Sequence, residues 1–99
     1  MLEFGLDKKY IQEIMSILKN YPEIRLAKIY GSRALGTYKA NSDIDLVIYG
    51  ENIDRKICLH LKDKLEEESS IPYFFDITHY ESISNSDLKE HIDVWARVI

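Results

Sequence analysis

Seven residues, Asp43-Ile44-Asp45-Leu46-Val47-Ile48-Tyr49, constrain this chain more than any others, because their apolar and acidic members alternate. A period of two belongs to a β-strand, whose successive side chains point to opposite faces. Ile44, Leu46 and Ile48 fall on one face, and Asp43, Asp45, Val47 and Tyr49 fall on the other. The first face needs an apolar cover. The second carries two carboxylates side by side.

The rest of the sequence supplies that cover. Between Asp7 and Asn20 the residues Tyr10, Ile11, Ile14, Met15 and Leu18 recur at intervals of three and four, the stripe of an amphipathic helix, which Tyr21-Pro22 ends. Ile24, Leu26, Ala27, Ile29 and Tyr30 form a short buried strand that stops at Gly31. Arg33 to Ser42, with Gly36 and Asn41, reads as a polar turn region with room for one helical turn. After Gly50-Glu51-Asn52, the residues Ile53, Ile57, Cys58, Leu61 and Leu65 mark a second helix, and Glu66-Glu67-Glu68 its solvated end. Tyr73-Phe74-Phe75-Asp76-Ile77-Thr78 is aromatic and β-branched and reads as a third strand. Ser84 with Asp87 resembles a capping box opening a last helix, with Leu88, Ile92, Trp95 and Ile99 on its buried side. The expected order is α-β-β-α-β-α, an α+β (mixed α/β) fold in which a small mixed sheet packs on helices, with residues 1–99 forming one domain.

Composition narrows the function. Hydrophobic residues make up 45% of the 99 residues and charged residues 30%, the balance of a soluble globular chain. The stretch from Met1 to Asp7 has neither the basic flank nor the apolar run of an export signal, no segment is long and apolar enough to span a membrane, and Cys58 has no cysteine to pair with. A cytoplasmic location follows as the expectation. The net charge of −4 argues against a long nucleic acid as partner, since binding its backbone calls for a basic stripe. A small nucleotide is not excluded, because backbone amides and a bound cation can hold phosphate within an acidic protein.

The chemistry concentrates in Gly31-Ser32, ten intervening residues, and Asp43-Ile44-Asp45. A glycine at a strand end can take positive φ and lets backbone amides approach a triphosphate, while Ser32 adds a hydroxyl donor. Asp43 and Asp45, two apart on a strand, can share the oxygen coordination of Mg²⁺. Asp76, flanked by Phe75 and Ile77, would be costly as an unpaired charge in mid-strand and is read as a third ligand. With the second and third strands adjacent, the three carboxylates converge on a two-ion site, and Asp76 is placed to accept a proton from an incoming hydroxyl.

Gly31-Ser32-Arg33-Ala34-Leu35-Gly36 and Ser42-Asp43-Ile44-Asp45-Leu46, at this spacing, resemble the signature of the polymerase-β-type nucleotidyltransferases, in their minimal nucleotidyltransferase branch. The resemblance implies that Ser32 contacts phosphate, that Asp43 and Asp45 bind two Mg²⁺ ions, and that Asp76 serves the acceptor. It also implies that Arg33 and Ser42 are nucleotide or phosphate contacts; a surface arginine and a turn serine are the plainer alternative. Chains of this branch are commonly encoded beside a HEPN ribonuclease toxin and act as its antitoxin, which implies transfer of AMP from ATP to a tyrosine of that toxin. Leu35, Tyr38 and Tyr73-Phe74-Phe75 are then candidate contacts with the partner.

Two other functions compete. Nucleotidylation of a small molecule such as an aminoglycoside would ordinarily call for an added helical domain, for which 99 residues leave no room. An antitoxin acting by binding alone has no use for a costly carboxylate cluster. Cys58 and His60 lie two apart on a helix, point to different faces and make a poor zinc pair. His79 and Trp95 are most simply structural, Trp95 as core.

Overall fold

In the computed structural model, which describes residues 2–99, the central sheet has four strands in the order β5-β4-β3-β6. Met1, the first residue of the amino-terminal stretch read above, lies outside the described residues. The elements in chain order are β1 (Leu2–Glu3), β2 (Leu6–Asp7), α1 (Lys8–Leu18), β3 (Leu26–Tyr30), α2 (Gly31–Leu35), β4 (Ile44–Tyr49), α3 (Arg55–Glu67), β5 (Phe75–His79), α4 (Ser86–Trp95) and β6 (Arg97–Val98), with a single 3₁₀ turn at Tyr80–Ser82. All three strands and three helices expected from the sequence are present. Among the described residues, no helix is long and apolar enough to cross a membrane.

Strand β4 lies in the interior of the sheet, antiparallel to β3 and parallel to β5. Parallel neighbours require a crossover of a dozen or more residues, which α3 provides. The alternation in β4 works as its sequence dictates. Ile44, Leu46 and Ile48 join Ala27, Ile29 and Phe75 in the main core with Ile11 and Ile14 of α1 and Leu61 and Leu65 of α3. On the opposite face Val47 and Tyr30 pack with Ile92 of α4, flanked by Tyr49, Tyr80, Ile83 and Leu88.

Local capping explains where the helices begin. Asp7 accepts from the Lys9 amide to start α1, and Asp54 accepts from the Ile57 amide to start α3. The last helix opens at Asn85, whose side chain accepts from the Asp87 and Leu88 amides, so Asn85 takes the role the sequence suggested for Ser84. It also ends sooner than the stripe implied. Ala96 is extended, and Arg97–Val98 leaves the helix to pair with Lys28 and Ile29 as an edge strand, which removes Ile99 from the helical face. Trp95, read as core, is 53% exposed. The amino-terminal hairpin of β1 and β2 and the edge strand β6 went unforeseen because each strand is two residues long and carries no measurable period.

Candidate active site

Strand register does most of the work of assembling the candidate site. Tyr30 pairs with Asp45 across β3 and β4, and Asp45 pairs with Asp76 across β4 and β5. Residues paired across a sheet share a face, so Asp45 and Asp76 are lateral neighbours on the face opposite the main core. Asp43 precedes β4 by one residue and, two before Asp45, belongs to the same face. Asp43 and Asp76 are exposed, whereas Asp45 is half-buried between them. The cost of burial, argued from the sequence for Asp76, therefore falls on Asp45. Its carboxyl is pushed up to about 6, first by burial, then by the charges of Asp76 and Asp43, with the Arg33 charge opposing.

The turn that ends β3 meets this row directly. Gly31 has φ +72°, and a Cβ built on it would overlap the Asp45 carboxylate. Both the backbone conformation and the close approach therefore demand glycine. Ser32 follows in the first turn of α2, and the helix ends at Gly36 in the left-handed region. The helical turn expected between Arg33 and Ser42 thus starts earlier, at Gly31 itself. Gly31, Ser32, Asp43, Asp45 and Asp76 are accordingly gathered around one end of β4.

The side chains of Arg33 and Ser42 are both engaged in the loop that leads to Asp43. Arg33 is only 2% exposed and so is not the surface arginine of the plainer alternative. Its Nε and Nη2 donate to the Ser42 carbonyl at 3.2 and 2.7 Å, and its Nη1 donates to the Phe4 carbonyl at 2.9 Å. The guanidinium also lies 5.2 and 4.8 Å from the ring centroids of Tyr38 and Tyr73. A planar cation that stays charged when buried suits such a place, held by carbonyl oxygens and aromatic faces. Ser42 Oγ accepts from the Lys39 amide at 2.8 Å, a turn contact that leaves its hydroxyl proton free to donate. Together they brace the loop that delivers Asp43.

Other side chains singled out in the sequence are structural here. His60 Nδ1 is 2.6 Å from the Tyr21 hydroxyl, and His79 Nε2 donates to the Gly50 carbonyl at 2.7 Å. Glu66 is less solvated than its acidic run suggests, because it accepts from the Phe75 amide at 2.7 Å and so anchors the start of β5. Leu35, Tyr38 and Phe74 are exposed, but Phe75 is core and Tyr73 stacks on Arg33. Two residues near the carboxylates were not anticipated. The buried Tyr30 hydroxyl is 2.7 Å from Thr78 Oγ1, and His91 Nε2 accepts from the Gly31 amide at 3.0 Å. The signal for His91 was its spacing, three after Leu88 and four before Trp95, which puts a polar ring within an apolar stripe.

Whether a divalent cation suits this place can be judged from the carboxylates themselves. Among the described residues no three acidic, histidine or cysteine side chains already stand together in ligand geometry. The acidic pair on adjacent strands is nevertheless one strand spacing apart, about 4.8 Å between backbones, and Asp45 holds its proton unusually tightly, first because it is half-buried and then because like charges face it. A hard cation that accepts oxygen ligands fits that donor set and would relieve the repulsion.

The family model described as "Polymerase beta, Nucleotidyltransferase" matches residues 12–99. No curated protein matches the chain in sequence. Among solved structures, the chain is similar to one in a toxin–antitoxin complex with AMP-PNP, with a TM-score of 0.72 and 23% identity over 94% of this chain and 72% of that one. A second similarity is to a structure of a tri-AMPylated Shewanella oneidensis HEPN toxin in complex with an MNT antitoxin, with a TM-score of 0.69 and 18% identity over 92% of this chain and 69% of that one. At these identities the likeness concerns the fold.

Proposed function

The chain belongs to the polymerase β nucleotidyltransferase family, and on that premise we propose that it transfers AMP from Mg-ATP to a tyrosine hydroxyl of a HEPN ribonuclease toxin, acting as the toxin's antitoxin in the cytoplasm. The observation that carries the transfer chemistry is the seating of the Asp45 carboxylate against Gly31 while Asp45 pairs in register with Asp76. A phosphate-binding turn and a carboxylate row share one edge. The toxin as acceptor is supported by the similarity to the complexes just described, one of which contains an AMPylated HEPN toxin. Exposure of Asp43 and Asp76 supports an acceptor presented by a second molecule.

In this reading the Ser32 amide and hydroxyl donate to phosphate oxygens, and Asp43, Asp45 and Asp76 hold two Mg²⁺ ions. The ions, when bound, neutralise the triphosphate and the departing pyrophosphate. Asp76, exposed at the end of the row, accepts the proton of the tyrosine hydroxyl. The phenolic oxygen forms a bond to the α-phosphorus as the bond from that phosphorus to the bridging oxygen breaks, and pyrophosphate leaves. Asp45, pushed up to about 6 without metal, becomes fully ionised beside a cation.

Intact-mass spectrometry of the HEPN toxin, incubated with this chain, ATP and Mg²⁺, tests the reading. A mass gain of one or more AMP units is expected, and it should vanish when Asp43→Ala and Asp45→Ala are combined. No gain with the natural protein would sink the proposal.

A further inference from the structure

The first amide of α2 has no local acceptor. Helices leave their first N–H groups without intrahelical partners, and Tyr30, in the capping position, makes no side-chain cap. Its hydroxyl is committed to Thr78. The Gly31 N–H instead donates to His91 Nε2, a residue 60 positions further along the chain. His91 is half-buried on α4 and stands edge-on to the Tyr30 ring, with centroids 6.2 Å apart. The imidazole is thus braced by the residue whose peptide leads into the turn.

This contact matters because Gly31 is the least restrained residue of the turn. At φ +72° a glycine has no Cβ to fix its conformation. Rotating the Tyr30–Gly31 peptide would turn the Gly31 amide away and reorient Ser32 behind it. It would also disturb the Asp45 carboxylate, which occupies the space a Gly31 Cβ would fill. Nothing in the glycine opposes that rotation, whereas an acceptor on its amide does. Acceptance requires a lone pair on Nε2, hence a neutral ring with its proton on Nδ1.

We propose that His91 is a positioning residue of the nucleotide turn. It touches no nucleotide; it holds the Gly31 peptide in the orientation from which Ser32 meets phosphate. The inference rests on the nucleotide site proposed above and adds α4 to it as a working part. A glutamine can present a carbonyl oxygen to the same amide, and a leucine of similar bulk cannot.

The test compares the natural protein with His91→Leu and His91→Gln in calorimetric titrations with Mg²⁺ and a non-hydrolysable ATP analogue, beside thermal melts. His91→Leu should weaken binding about tenfold, and because it leaves the part-buried Gly31 amide without its acceptor, it should also lower the melting temperature of the nucleotide-free protein by a few degrees. His91→Gln should restore most of the affinity. Without nucleotide, amide hydrogen exchange at Gly31 should accelerate in His91→Leu and slow again in His91→Gln. Binding by the natural protein that is unchanged in both variants, or lost equally in both, overturns this inference alone. Absence of binding by the natural protein overturns the nucleotide site and this inference with it.

Discussion

Two neighbouring rungs of the sheet, one residue apart, face opposite ways and do opposite things. Ile29, Leu46 and Ile77 are paired across β3, β4 and β5 and point into the main core. Tyr30, Asp45 and Asp76, the next residue on β3 and the preceding ones on β4 and β5, form the rung that carries the carboxylates. The first rung gains stability from water exclusion, since Ile29 and Leu46 are fully buried. The second gives some of it back, because Asp45 is half-buried against like charge. The pleat lets one short strand carry both, and the apolar rung is what allows the acidic rung to remain strained without metal.

The largest effect should come from the acidic rung. Asp45→Asn removes a proposed metal ligand, and transfer should fall by on the order of 10³-fold or more. The same change removes a charge opposed by Asp76 and Asp43, so the metal-free protein should melt at a higher temperature. Activity and melting in chelator then move in opposite directions. A fall in both would mean that Asp45 supports the fold, and the contrast between the rungs would fail. The reciprocal change is Leu46→Ala on the apolar rung, which should cost about 3 kcal/mol through lost burial and the cavity left behind. Denaturant titration reads that cost. Transfer per folded molecule should stay within about threefold of the natural rate; a collapse of transfer in folded protein would mean that the two faces are not separable.

This division was legible in the sequence because it depends only on period. Asp43-Ile44-Asp45-Leu46 displays both faces of β4, and the three strands and three helices followed from the same kind of pattern. What stayed hidden depends on contacts between distant residues. Asp76 looked like the buried carboxylate because its neighbours in sequence are Phe75 and Ile77, yet Asp45, on an interior strand, is the more enclosed. Arg33 looked like a phosphate ligand because it follows Ser32, but its side chain reaches back to the Ser42 and Phe4 carbonyls. His91 reaches Gly31 only once α4 is laid against the sheet. Two-residue strands such as β6 have no pattern to read, and their pairing with β3 is set by where α4 ends.

Arg33 offers a smaller perturbation that sharpens the contrast, since it braces the loop that delivers Asp43 without belonging to either rung. Arg33→Met keeps length and apolar bulk but leaves the Ser42 and Phe4 carbonyls without their donor. It should destabilise the fold by about 2 kcal/mol, the cost of part-buried acceptors left unpaired. The affinity for an ATP analogue should change far less than in His91→Leu, because Arg33 contacts the loop to Asp43 rather than the nucleotide turn. A loss of nucleotide affinity exceeding the loss in His91→Leu would return Arg33 to the role its position in the sequence suggested.

The smallest effect is a dependence on pH, and it isolates the unfavourable contribution of the acidic rung. The Asp45 carboxyl is raised from 3.8 to about 6 in the folded chain, so between those values the folded state binds a proton that the unfolded state has released. Stability rises with pH only where the unfolded state binds more protons, and here the folded state does. The contribution of Asp45 is therefore fully present below the unfolded value and is lost as pH climbs through about 6. Other carboxylates titrate in the same window, so the informative quantity is a difference between proteins. In chelator, the melting temperature of the natural protein should fall relative to Asp45→Asn as pH rises from about 5 to about 7, by a few degrees. Mg²⁺ with an ATP analogue should flatten that difference, since a bound cation favours the ionised carboxylate at every pH in the range. A constant difference across the range would show that Asp45 ionises freely, and the acidic rung would then be no less comfortable than the apolar one beside it.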